Sequence, residues 1–145
     1  KQADVETLFL TKENPALTSL IEKYPSRCQR KWVKHNEVYK ELASCDYGIL
    51  LRDDKITNRV ASPVKFAEYL NAGLKVLISP YIGDFSEFVK SNNCGLVVEG
   101  KLPKLIKVAQ SDKQALKELC RQEFFKDSLL IEKEYIKLFE ALKRT

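Results

Sequence analysis

Two charged side chains one helical turn apart, Lys65 and Glu68, have the types and spacing best suited to binding chemistry. They follow the pair Ser62-Pro63, which is typical of a helix start. Free amides and the helix dipole at such a start favour an anion. Lys65 adds a cation there, and Glu68 adds an acceptor for ribose or sugar hydroxyls. The pattern predicts a nucleoside diphosphate site. The simpler interpretation is a capped surface helix on which Lys65 and Glu68 are solvated or form an ion pair.

The segment from Ala61 to Ile78 contains its own helix boundaries. Ser62 is the predicted N-cap, because its hydroxyl can accept from free amides, and Pro63 suits the first helical position. Gly73 is predicted to end the helix in the left-handed conformation, and residues 74–78 to form a buried parallel strand. Three apolar residues of the helix recur every three positions and are expected to face the core: Val64, Ala67 and Leu70.

Strands and helices alternate along the whole chain. Strands are predicted at 6–11, 30–34, 47–51, 74–78 and 96–98. Helices are predicted at 14–24, 37–44 with Asn36 as cap, 62–73, 85–92 with an Asp84–Glu87 capping box, 102–109, and 112–145 with a break near 124–127. This order indicates one α/β domain with a Rossmann-like parallel sheet flanked by helices. Ligands bind beyond the carboxyl ends of such strands, so the candidate loops are 34–36, 52–62 and 79–83.

The composition limits the partners. A net charge of +5 permits an anionic ligand, a membrane or a nucleic acid. The basic residues are interleaved with acidic ones and no nucleic-acid motif is present, so we expect no nucleic acid partner. No apolar run is long enough for a membrane span, and the start lacks the features of a signal peptide. Because the chain contains no methionine, we expect a piece of a longer protein.

Four cysteines and a single histidine give no metal-binding spacing. The cysteines are Cys28, Cys45, Cys94 and Cys120, and no two of them form a CxxC pair. We therefore expect no metal and no cofactor. The cysteines are expected to be reduced, unpaired thiols in the cytoplasm.

An ordered series of short motifs resembles a known family. The series comprises Asn36-Glu37-Val38, Cys45-Asp46-Tyr47-Gly48-Ile49-Leu50-Leu51, Ser62-Pro63-Val64-Lys65, Glu68-Tyr69-Leu70, Ala72-Gly73 and Ile82-Gly83-Asp84. It is similar to the C-terminal, donor-binding domain of the retaining group-1 (family 4) glycosyltransferases, which have the GT-B fold. The S-P-x-K-x-x-E-Y-L form is closest to enzymes of polysaccharide and surface-glycan synthesis. The resemblance covers residues 6–142.

The resemblance implies roles for individual residues. Glu68 would bind the ribose of a nucleotide-sugar substrate, and the segment Ser62-Pro63-Val64-Lys65 would meet its diphosphate through its amides. Lys34 and His35 would lie at the nucleobase edge. The first Glu of the family's E-x7-E motif falls at Val60, which cannot act as a carboxylate, and the glycine after it falls at Pro63. Whether catalysis survives the change at Val60 stays open, and catalytic residues stay unassigned.

The resemblance also implies a larger enzyme. The chain would be a single donor-binding domain over residues 1–145, beginning after the domain's first strand and ending in a crossover helix at 127–142. The N-terminal acceptor domain would be a missing partner, so the isolated chain would be inactive. No metal is expected in such enzymes. The full protein would be cytoplasmic, with peripheral contact at the inner face of the membrane as one option.

Two other classes of function remain open. A non-catalytic Rossmann-like or flavodoxin-like module would bind a nucleotide or regulate without needing Glu68 to meet a ribose. An interaction domain would use its basic face on membranes or acidic partners.

Overall fold

Parallel strands flanked by helices form the framework of the molecule. The computed structural model describes residues 5–125 and 136–137. In chain order these ranges contain β1 (Thr7–Leu10), α1 (Pro15–Lys23), β2 (Cys28–Lys31), α2 (His35–Ala43), β3 (Tyr47–Leu50), α3 (Ile56–Arg59), α4 (Val64–Ala72), β4 (Lys75–Ile78), α5 (Phe85–Asn92), β5 (Gly95–Val97) and α6 (Gln110–Phe124). The helix predicted at 127–142 lies outside the described residues.

The strands pair in two small parallel sheets. In the first, β1 pairs with β2, with Thr7 opposite Cys28. In the second, β4 lies between β3 and β5, with Val76 opposite both Gly48 and Gly95. The predicted α/β class with parallel strands and flanking helices is confirmed, and it is consistent with a Rossmann-like fold. The sequence predicts one sheet, whereas in the described residues the pairing divides the strands between two sheets.

The core lies around α4, β4, α5 and α6. Phe66 and Leu70 of α4 are both fully buried, and their spacing of four residues places them on one face of the helix. Val64 was expected in this core but is 73% exposed, and Ala67 is only half-buried. The prediction is therefore confirmed for Leu70, and Ala67 packs against the edge of the core, whereas the place expected for Val64 is taken by the large Phe66 ring.

The N-terminal capping of two helices differs from the prediction. α2 begins at His35 with Lys34 as its N-cap, whereas the prediction used Asn36. The Glu37 carboxylate accepts from the Lys34 amide at 3.1 Å, so this earlier start is stabilised. Helix α5 begins at Phe85 as predicted, but its N-cap Asp84 makes no side-chain hydrogen bond to the helix, so the expected capping box is absent there.

The second strand and one predicted helix also differ. β2 is Cys28–Lys31, two residues before the predicted start, because it follows its pairing with β1. Residues 102–109 contain no helix. The segment passes the start of β3 instead, where the Tyr47 hydroxyl donates to the Ile106 carbonyl at 2.9 Å. This hydrogen bond, together with that from the Val108 amide to the Asp46 carboxylate at 3.4 Å, fixes the segment in a non-helical conformation.

The four cysteines are unpaired, as the sequence predicts. Cys94 and Cys120 are buried, and Cys28 and Cys45 are half-buried. Burial raises the pKa of the Cys94 thiol to about 11, so this side chain stays protonated at neutral pH. None of the helices in the described ranges is both long and apolar enough to cross a bilayer.

Candidate functional site

The start of α4 lies in the loop that follows β3, beyond the carboxyl end of that strand. The helix begins at Val64, and Pro63 is its N-cap. Ser62 was expected to cap the helix, but it lies one residue outside that position and is exposed. The amide of Phe66 donates to the Pro63 carbonyl at 2.9 Å, and Pro63 has no N–H. The amides open to a ligand here are therefore those of Val64 and Lys65, preceded by that of Ser62.

Lys65 and Glu68 are both exposed on α4. Within residues 5–125 and 136–137, neither side chain forms an ion pair or a hydrogen bond. The surface ion pair considered as the simpler interpretation is therefore not formed. Both charges are available to a ligand.

The residue after Glu68 anchors this face of α4. The Tyr69 ring lies where a Cβ on Gly48 would be, so only glycine fits beneath it in β3. Its hydroxyl donates to the Ile49 carbonyl at 3.4 Å. Burial raises the pKa of the Tyr69 phenol, and the negative charge of Glu68 adds to this effect. The packing of Tyr69 on β3 thus fixes the rotation of α4 and with it the position of the neighbouring Glu68.

A groove adjoins the start of α4. It has a volume of about 630 Å³, and we call it the Ser62 groove. It is lined by Arg59, Val60, Ala61, Ser62, Gly83, Asp84, Phe85, Phe88, Glu123 and Phe124. Ser62 and Gly83, predicted from the sequence to lie in neighbouring ligand loops, thus share one groove. Lys65, Glu68, Lys34 and His35 are outside this lining.

Gly83 brings its loop close to the other wall of the groove. Its φ of +45° is in the left-handed region, which favours glycine. A Cβ at this position would approach the carbonyl oxygens of Ala61 at 3.1 Å and Arg59 at 3.3 Å. The close approach holds the turn before α5 against the segment that leads into α4.

The floor of the groove is aromatic. Phe85 and Phe88 of α5 and Phe124 of α6 contact the buried Phe66, with ring centroids 4.8, 5.8 and 5.8 Å away. These pairs are edge-to-face, the geometry that aromatic rings prefer. Because three helices contribute to the cluster, the floor is held rigidly.

Two buried serines connect the loops of the site. The Ser79 hydroxyl accepts from the Arg52 amide at 2.7 Å and donates to the Arg52 carbonyl at 2.8 Å. The Ser86 hydroxyl donates to the Ser79 carbonyl at 2.7 Å and accepts from the Ile82 amide at 3.1 Å. The loops after β3 and β4 are thereby joined. Neither serine is predicted by the sequence pattern, since a single serine after a strand carries no periodic signal.

The loop between β3 and α4 is ordered by its own polar contacts. Arg59 donates to both carboxylate oxygens of Asp54, at 2.8 and 2.9 Å. This hydrogen-bonded pair lowers the pKa of Asp54. Asn58 donates to the Asp53 carbonyl at 2.8 Å and accepts from the Arg52 guanidinium at 3.2 Å. Asp54 is therefore ionised at neutral pH, and its charge is paired with that of Arg59.

Lys34 and His35 lie apart from the groove. They are exposed at the start of α2, which follows β2 of the two-stranded sheet. A direct contact between α2 and α4 joins the Tyr39 hydroxyl to the Asn71 carbonyl at 3.1 Å. Asn71 is near the end of α4, opposite to Ser62. Within the described residues no hydrogen bond or ion pair joins Lys34 or His35 to Ser62, Lys65 or Glu68, and their place at the nucleobase edge stays a prediction.

The described part of the chain contains no group of three or more His, Cys, Asp or Glu side chains that could hold a metal ion. Comparison with known proteins adds no family: no family model matches the chain, and no curated protein matches it significantly. The glycosyltransferase resemblance stays a prediction from the sequence.

Proposed function

We propose that this chain is the nucleotide-sugar-binding domain of a retaining glycosyltransferase that acts in polysaccharide or surface-glycan synthesis. The observation that supports it best is the pair Lys65 and Glu68. Both are exposed and unpaired among the described residues, one turn apart at the start of a helix beyond the carboxyl end of a parallel strand. This is the edge at which ligands bind in such sheets.

The diphosphate and the ribose of the donor each have a partner in this arrangement. The diphosphate lies at the amides of Val64 and Lys65, where the helix dipole and the Lys65 ammonium favour negative charge. Glu68 accepts from a ribose hydroxyl. Val60 has no carboxylate, so the catalytic groups for sugar transfer must come from residues other than Val60.

Titration with nucleoside diphosphates, followed by backbone amide shifts in NMR spectra, tests the proposal. UDP, GDP and ADP are compared with the matching monophosphates and nucleosides. The diphosphate should bind best and the nucleoside hardly at all, with shifts centred on residues 61–68. Affinity should also fall as salt rises, because the contact is exposed.

Two variants separate the roles of the charged residues. Glu68→Gln should weaken diphosphate binding about 10-fold or more, since a hydrogen bond to a charged group contributes roughly 1.5–3 kcal/mol. Lys65→Ala should weaken diphosphate binding and leave nucleoside binding unchanged. Lys107→Ala, an exposed lysine in the 102–109 segment, is the matched control. If both variants bind the diphosphate as tightly as the wild type, or if the amide shifts are centred outside residues 61–68, the binding site is not at α4.

A further inference from the structure

The Ser62 groove is the cavity that a sugar on the bound diphosphate can reach. The sugar of a nucleotide sugar is joined directly to the second phosphate, so it lies within one bond of that group. Ser62 directly precedes Pro63, the N-cap of α4, and also lines the groove. Building on the proposed function, we infer that the groove binds the donor sugar and selects a neutral or amino sugar against a sugar acid.

The shape and floor of the groove suit a sugar ring. A volume of about 630 Å³ accommodates one hexose with its attached phosphate. Phe85, Phe88 and Phe124 offer apolar surface to the C–H faces of such a ring. Because these rings pack on the fully buried Phe66, the floor does not have to order itself when the ligand binds.

The charges in the lining determine the class of sugar. Asp84 and Glu123 are exposed and, in the ranges that the structure describes, take part in no ion pair or side-chain hydrogen bond. The cation of the lining is Arg59, and both carboxylate oxygens of Asp54 already accept from it. Among the residues that the structure describes, these two carboxylates therefore have no cation paired with them. They accept hydrogen bonds from hydroxyl or ammonium groups and repel a carboxylate.

Arg59 provides the competing possibility. A sugar acid could be accommodated only if Arg59 left Asp54 and paired with the sugar carboxylate. In that exchange Arg59 would lose two charge-assisted hydrogen bonds to Asp54 and form two equivalent ones to the sugar carboxylate. The repulsion of the sugar carboxylate by Asp84 and Glu123 would remain. Removing the Asp54 carboxylate should therefore make the groove more tolerant of a sugar acid.

Calorimetric or NMR titration with matched donors tests the inference. UDP-glucose is compared with UDP-glucuronic acid, and GDP-mannose with GDP-mannuronic acid, each relative to the free nucleoside diphosphate. The neutral sugar should bind about 10-fold more tightly than the sugar acid, as expected for two like-charge repulsions that each contribute about a factor of three across about 6 Å at a solvent-exposed site. Glu123→Gln, Asp84→Asn and Asp54→Asn should each reduce this ratio at least about threefold.

Controls separate this inference from the proposed function. Glu87→Gln on α5 removes an exposed carboxylate outside the groove and should leave the ratio unchanged. Thermal unfolding of each variant identifies any that fail to fold, and Glu123, exposed near the end of α6, is the position least able to disturb folding. If the nucleoside diphosphates bind but neutral and acidic donors bind equally, only the sugar inference is wrong. If no nucleoside diphosphate binds, the proposed function and this inference are both wrong.

Discussion

The Ser79 hydroxyl joins the two loops of the candidate site, and Ser79→Ala tests that contact. Ser79 is 5% exposed, and its hydroxyl makes two hydrogen bonds to the backbone of Arg52, at 2.7 and 2.8 Å. Alanine removes both. A typical hydrogen bond within a protein contributes about 0.5–1.5 kcal/mol, so the loss is about 1–3 kcal/mol. Arg52 is exposed, and water can take up part of this loss. We expect about 1–2 kcal/mol.

Urea denaturation followed by circular dichroism measures the change in the free energy of unfolding. The midpoint should fall with an unchanged slope, since the surface exposed on unfolding stays the same. Ser91→Ala, an exposed serine of α5, is the matched control and should stay within 0.5 kcal/mol of the wild type.

Amide hydrogen exchange gives a local measurement. The Arg52 amide should exchange faster in Ser79→Ala than in the wild type, because its acceptor is gone. Amides of α1 should keep their rates. An unfolding free energy within 0.5 kcal/mol of the wild type, together with an unchanged Arg52 exchange rate, would show that this hydroxyl does not hold the loops together.

Two further predictions concern the core. Phe66→Ala should lower the free energy of unfolding by about 3–5 kcal/mol, because it removes the ring at the centre of the aromatic cluster. Phe125→Ala, at an exposed position, should lower it far less. Equal losses of the two variants in urea denaturation would contradict the assignment of the core. The pKa of Cys94 is about 11 in the folded protein against an ordinary value of 9.0, so the unfolded chain loses this proton first and stability should fall as the pH rises from 9 towards 11. Urea midpoints measured at pH 8, 9 and 10 should decline less in Cys94→Ala than in the wild type. An identical decline in the variant and the wild type would show that the Cys94 thiol does not cause it.

Features specified by neighbouring residues were predictable. Gly73 ends α4 with a φ of +84°, as expected of a glycine after an amphipathic helix. Helix α5 matches its predicted bounds, and β3 differs from its prediction by one residue. These elements depend on side-chain period and on the backbone conformation that one residue allows. Such properties act over a single turn and need no tertiary partner.

Features that depend on distant partners were not predictable. The sequence pattern predicted Val64 in the core, but in the packing of α4 with α5 and α6 Phe66 is buried and Val64 is exposed. The pattern predicted a helix at 102–109, but hydrogen bonds to Tyr47 and Asp46 hold that segment beside the start of β3. In both cases contacts between residues far apart in the chain outweighed a local preference of a few tenths of a kcal/mol per residue.

The candidate site divides in the same way. The sequence alone singled out Ser62, Lys65 and Glu68, because a helix start and two charges one turn apart are visible in a single short segment. Only the tertiary structure brought Gly83, Asp84 and Glu123 to Ser62, in a lining that does not include Lys34 or His35. Such a groove forms where loops and helices from separate parts of the chain pack together, and no local pattern encodes their separation in space.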